Sequence, residues 1–381
     1  MHGVLPDIRR QSSLRYVPGL DGVRAIAVSI VMAFHFTAWF APGLAPLGIG
    51  WDLWTRVAKL GWMGVDIFFV LSGFLITRVL EERPLHGLRD YGAFLARRAW
   101  RLLPAYVACL LVFNVAALAL VPEAKTLRTQ WLLWTFTANL WPAFGDRGAL
   151  VDPFFAFAHF WSLSAEWHFY LLFPWLLRAM RTDQRAGLTL IAVALLTRMA
   201  IWSTGQSDNA TYAFTFSRVD GFGMGCLVAA YRGELTQGAR HLALAAATAL
   251  IGVIMGALML TPLSFKGLAW MQLCGYTGIA AAAALFLHAI VHGPREGLLV
   301  RVLEWRPLVA WGRVSYSAYL WHLVFLPGLA MLVARNVGDV RAQYACTALL
   351  ATAFTVAMAF LSYRFVEARF LGRRPAAPAI A

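Results

Sequence analysis

The feature that most constrains this chain is a series of apolar runs. Each is about 20 residues long, the length a helix needs to cross a ~30 Å hydrocarbon core. In lipid every backbone N–H and C=O must be satisfied within its own element, so such runs fold as helices. They fall near residues 20–41, 61–80, 101–121, 159–178, 187–204, 217–232, 241–260, 268–290, 308–332 and 343–366. Composition agrees, since 60% of the 381 residues are hydrophobic and 14% are charged. Soluble domains stay nearer half apolar and about a quarter charged. The expected fold is all-α, a polytopic membrane helical bundle of about ten transmembrane helices. The segment "WLLWTFTANLW" (131–141) is apolar but too short to cross. It reads as a re-entrant or interfacial piece rich in tryptophan.

An even number of crossings places both termini on one side. With the N-terminus inside, most of the 33 Lys and Arg residues fall in inside segments, so both termini are expected in the cytoplasm. The net charge of +14 is scattered over loops, which argues against a nucleic-acid binder. The expected organisation is a cytoplasmic segment 1–19, a membrane domain 20–366 and a cytoplasmic tail 367–381. The tail ends in "RRPAAPAIA" and is expected to be disordered. No small-residue cleavage site follows a short apolar stretch, so the first span reads as an uncleaved signal anchor. Cys109, Cys226, Cys274 and Cys346 all fall in spans and form no CxxC pair. Neither disulfides nor a zinc site are expected.

Ionisable residues inside such spans are expensive and mark function by default. His35 sits in "VSIVMAFHF" (28–36), eleven residues after Arg24. Eleven helical residues make about three turns and about 16 Å of rise, so both face one groove. Asp21, one turn before Arg24, can pair with it. The plainer reading is a histidine hydrogen-bonded to a neighbouring helix; the face shared with Arg24 favours function. A second group is "HFWSLSAEWHFYLLFP" (159–174), with Ser162, Ser164, Glu166 and His168 near one turn. A carboxylate within a span needs a partner or a proton, and His35 is the candidate partner for Glu166. The plainer reading is a helix start capped by Ser162 or Ser164. His159 and His168 are nine apart and HExxH is absent, so no metal site is expected. A third group is "RDYGAFLARRAWRLLPAY" (89–106). Arg98 and Arg101, with Arg97 adjacent, can converge on one anion through planar forks suited to phosphate. Alone, this stretch would read as positive-inside charge.

Five motifs in order, "RYVPGLDGVRAIAVSIVMAFHF", "GWMGVDIFFVLSGFLIT", "ARRAWRLLPAY", "HFWSLSAEWHFYLLFP" and "SYSAYLWHLVF", resemble the acyltransferase 3 family of integral membrane proteins along nearly the whole chain. The resemblance implies transfer of an acyl group, commonly acetyl from acetyl-CoA, to a hydroxyl of a carbohydrate or glycoconjugate. It implies no permanently bound cofactor, with acyl-CoA as donor substrate. It also implies residence in the bacterial inner (cell) membrane; some family members carry a fused extracytoplasmic domain, for which 381 residues are too few, so a stand-alone form is expected. The family's Arg-x10-His motif falls on Arg24 and His35, with His35 catalytic. Its Arg-x2-Arg motif falls on Arg98 and Arg101 and is assigned to the donor. Its "SLSxEE" stretch falls on Ser162 to Trp167, keeping Glu166 and replacing the second acid by Trp167. In this scheme His35 is a general base, or else carries the acyl group itself, and Glu166 stabilises the imidazolium or orients the acceptor.

Asp66, Tyr316 and His322 are weaker candidates for lining the groove and binding substrate, set against ordinary packing between helices. "GFGMG" (221–225) follows no strand and reads as close helix packing rather than a nucleotide loop. Arg78, Arg198, Arg218 and Arg313 are expected to snorkel from helix ends. A transporter or flippase is the main alternative, but the halves show no internal repeat. A lipid-linked sugar transferase would want an acidic pair in the first external loop, where only Asp52 stands.

Overall fold

The computed structural model describes residues 17–146, 148–261 and 265–371. The expected N-terminal segment before residue 17 and the tail beyond 371 lie outside the described residues. The chain begins with α1 (Leu20–Leu44), α2 (Ile49–Lys59), α3 (Gly64–Glu82) and α4 (Leu88–Leu120). Three short helices follow, α5 (Lys125–Thr129), α6 (Trp131–Trp134) and α7 (Trp141–Phe144). Then come α8 (Phe160–Met180), α9 (Asp183–Ser203), α10 (Asp208–Ala213), α11 (Thr215–Ala230), α12 (Gln237–Met259) and α13 (Tyr276–Val291). The last are α14 (Leu298–Leu303), α15 (Arg306–Arg313), α16 (Ser315–Trp321), α17 (Leu326–Ala334), α18 (Val340–Ser362) and α19 (Ala368–Leu371), with a π-helical turn at Tyr363–Glu367.

Local chemistry sets several of these boundaries. Thr182, Thr236 and Asp339 each accept a backbone N–H at the start of α9, α12 and α18, satisfying donors that a helix start leaves open. Pro42, Pro104 and Pro174 lie inside α1, α4 and α8, as membrane helices tolerate. The segment expected to be re-entrant forms the short α6 and α7, with Trp131, Trp134 and Trp141 exposed.

Among the described residues, seven helical stretches are long and apolar enough to cross a membrane, and α16 with α17, bent by 55°, makes an eighth. The expected count of about ten is approximate, since helices stand at all ten expected places but two fall short in length or apolarity. These two are α8, diluted by serines, Glu166 and His168, and α11, only 16 residues long. Most of α11 is buried, wedged between α3 and α9. A helix sheathed by other helices needs less lipid-facing apolarity. Glycines permit the close approach. A Cβ on Gly225 would strike the Val70 carbonyl, one on Gly223 the Gly187 carbonyl, and one on Gly73 the Phe222 carbonyl. The "GFGMG" stretch is a packing surface.

Two buried ion pairs bolt this region and correct the expectation that Arg198 and Arg218 snorkel. Arg198 donates to Asp220 at 2.9 Å and to the Ser217 carbonyl at 2.5 Å, and Thr277 bridges the pair. Arg218 donates to Asp66 at 2.6 Å. The Arg218 guanidinium lies 4.4 to 6.0 Å from the rings of Tyr276, Tyr212, Trp161 and Phe69, favourable cation–π distances. Asp66 is therefore a structural anchor between α3 and α11, not a lining residue. Sequence distance hid the pairing, because Asp66 and Arg218 are 152 positions apart.

Candidate active site

A cavity of about 390 Å³ opens at the end of the bundle that holds the start of α1. Its walls come from α1, α3, α4, α8, α15, α16 and the final π-helical turn. That turn carries Tyr363 and Glu367 onto the cavity wall. Both described ends of the chain thus meet at one end of the bundle.

The cavity holds Arg24, Arg98, Arg101 and Arg313 together with Asp21, Glu166 and Glu367. Arg24 donates to Asp21 at 3.0 Å, the pairing expected one helical turn apart, and Arg313 approaches the same carboxylate at 3.8 Å. Arg313 accordingly lines the site instead of snorkelling. Arg98 and Arg101 differ from these two. Neither comes within 4.0 Å of a carboxylate oxygen among the described residues, and the buried Nε of Arg98 has no hydrogen-bond partner among them. Arg98 rests on the Phe94 ring at 5.6 Å. Arg97, expected beside them, does not line the cavity. The site therefore offers two uncommitted guanidiniums, one turn apart, to an incoming anion.

Glu166 reaches the same cavity from the middle of α8, where it accepts hydrogen bonds from Ser72 at 2.5 Å and from Tyr170. It does not touch His35, which corrects the expected pairing. Ser162 and Ser164 bond back to the His159 and Phe160 carbonyls within their own helix and cap nothing. His168 faces away, 2.7 Å from Thr215, which also accepts from Asn139 at 2.6 Å. Trp167, at the position of the family's second acid, stacks on Phe136 at 5.1 Å and does not line the cavity. Tyr316 does line it, with its hydroxyl on the Leu102 carbonyl at 2.9 Å.

His35 lies beyond the cavity's inner wall. Tyr319 lines the cavity, its hydroxyl 2.6 Å from that of Ser162, and its ring packs on His322 and His159 at 5.4 Å. Behind it His35 and His322 are 3.0 Å apart, and the His159 ring packs against His322 at 4.7 Å. Arg24 and His35 lie along one helix as the spacing implied, but only Arg24 faces the cavity. His322, read as a groove-lining residue, is buried in this histidine cluster instead. Among the described residues no group of three or more His, Cys, Asp or Glu side chains is placed to hold a metal ion.

Sequence reasoning missed Ser72, Tyr170, Tyr319, His159 and Glu367. Tyr170 was within reach, since it stands one turn after Glu166 and the two meet on one face. Glu367 was not, because its place depends on the π-helical turn.

The family model described as "Acyltransferase domain" matches residues 17–364. The O-acetyltransferase OatA of Staphylococcus aureus is 30% identical over 94% of this chain and 58% of its own length. YrhL of Bacillus subtilis, a candidate peptidoglycan O-acetyltransferase by name, is 27% identical over 93% of this chain and 54% of its own. The chain thus spans little more than half the length of these relatives. No solved structure matches it.

Proposed function

Because the chain belongs to the acyltransferase-domain family, we propose that it is an integral-membrane O-acetyltransferase that moves an acetyl group from acetyl-CoA to a carbohydrate hydroxyl. The names of the relatives point to O-acetylation, and that of YrhL to a peptidoglycan acceptor. The observation that carries the reading is the pair of uncommitted arginines, Arg98 and Arg101, at the cavity. They would hold the CoA phosphates bidentately. By the positive-inside rule this end of the bundle, and with it both termini, faces the cytoplasm of a bacterial cell, where acetyl-CoA is made.

The pantetheine arm would fill the cavity and bring the thioester past Phe68 and Tyr319 toward His35. His35 would take the proton of the acceptor hydroxyl as the oxygen attacks the thioester carbonyl. A C–O bond forms, the C–S bond breaks, and the thiolate recovers the proton from His35 as CoA leaves. Glu166, held by Ser72 and Tyr170, sits among the arginines and keeps their forks aligned on the donor.

A calorimetric titration with acetyl-CoA tests the donor site. Arg98→Lys and Arg101→Lys keep the charge but lose the fork. At roughly 1.5–3 kcal/mol per charged hydrogen bond, affinity should fall about ten- to a hundred-fold. The exposed Arg89 and Arg185, changed likewise, should leave it near normal. Equal behaviour of all four variants would reduce Arg98 and Arg101 to topology charge.

A further inference from the structure

We propose that His322 is a positioning residue that fixes the tautomer of His35, so that Nε2 of His35 is the nitrogen that takes the proton. The proposal rests on the reading of His35 as general base. It follows from which atoms can donate. The Nδ1 of His322 is 2.7 Å from the Tyr319 carbonyl, and a carbonyl only accepts. Nδ1 of His322 therefore carries a proton, and in the neutral ring its Nε2 is bare.

That bare Nε2 faces Nδ1 of His35 at 3.0 Å. Nδ1 of His35 must then be the donor. A second, independent contact demands the same proton, because Nδ1 of His35 is also 3.1 Å from the Val31 carbonyl. The opposite assignment would need a doubly protonated His322 and would set a lone pair of His35 against a carbonyl oxygen. Only one neutral pattern satisfies all three contacts. Every hydrogen bond of the His35 ring among the described residues runs through Nδ1, which leaves Nε2 for the chemistry.

The arrangement works as an orienting third group does in a nucleophile–base–orienter constellation, with a histidine and a backbone carbonyl in place of a carboxylate. His159 completes it: its Nε2 lies 3.2 Å from the Leu320 carbonyl and its ring packs on His322. Glu166, the orienting group expected from the sequence, is committed to the cavity instead.

The test combines nitrogen-15 histidine spectra with kinetics on the full chain in nanodiscs, the His35 signal being assigned by its loss in His35→Ala. The wild type should show His35 protonated at Nδ1 and bare at Nε2. His322→Gln offers an amide oxygen to His35 and an amide N–H to Tyr319, so kcat should stay within about tenfold of wild type. His322→Phe offers neither and leaves the Val31 carbonyl, 3.1 Å away, as the remaining acceptor for Nδ1 among the described residues, so a share of His35 should pass to the Nε2-protonated tautomer. Its kcat should fall below that of His322→Gln, in proportion to the share of Nδ1-protonated ring that is lost, with the KM for acetyl-CoA unchanged. A His35 protonated at Nε2 in the wild type would overturn the proposal, as would equal kcat values for the two variants. If His322→Phe does not fold, His322→Gln decides alone, since loss of the Nδ1-protonated signal there is also contradictory. An Nδ1-protonated His35 in a protein whose His35→Ala variant keeps full activity would support the tautomer and refute the base assignment.

Discussion

At the scale of single residues, the chemistry-bearing side chains were easier to find than their partners. Arg24 with Asp21, and Arg98 with Arg101, were legible because helical spacing alone brings each pair together. Glu166 stood out as a carboxylate in an apolar run, yet its partners could not be read. Ser72 is 94 positions away and comes from another helix, and His35 lies on the far side of Tyr319. The geometry now gives Glu166 a sharper prediction. Glu166→Gln keeps the shape but sets an amide against the Ser72 and Tyr170 hydroxyls, and removes the charge among the arginines. The KM for acetyl-CoA should rise about ten- to a hundred-fold, the worth of one charged hydrogen bond. Steady-state kinetics check this, and an unchanged KM would leave Glu166 a packing role only.

At the scale of helices, the apolar runs located the long helices, α8 and α11 included, but not what buries α11. Hydropathy assumes that each helix meets lipid, whereas α11 is mostly buried among other helices. The same assumption led Arg198 and Arg218 to be read as snorkelling, although each is buried against an aspartate. Breaking such a pair leaves a bare charge and costs about 3–5 kcal/mol, while replacing both partners by apolar groups costs far less. Asp66→Leu should therefore destabilise the protein strongly, and Asp66→Leu with Arg218→Met should recover much of the loss. Unfolding in mixed micelles measures both, and a double variant no more stable than the single would contradict the pairing. Gly225→Val should also be destabilising, by overpacking of α11 against the Val70 carbonyl.

At the scale of the whole molecule, the arginine cavity and the histidine cluster lie in series along the bundle, with Tyr319 between them. The all-helical membrane architecture was legible from the length of the apolar runs; the partition was not, because it forms where helices distant in sequence meet. If the cavity end faces the cytoplasm, a cysteine placed at Arg89 should react with a membrane-impermeant thiol reagent only in inverted vesicles. One placed at Lys125, next to the tryptophan-rich α6, should react only in right-side-out cells or vesicles. The reverse pattern would invert the topology. In the proposed reaction His35 performs the transfer for a donor held by Arg98 and Arg101. The most direct measurement is the rate at which labelled acetyl passes from acetyl-CoA to a glycan in proteoliposomes, for the wild type and for His35→Ala of equal yield and thermal stability. The account predicts transfer by the wild type and a rate about 10²–10⁴-fold lower in the variant, with acetyl-CoA affinity retained. Transfer by folded His35→Ala at a near wild-type rate would contradict it.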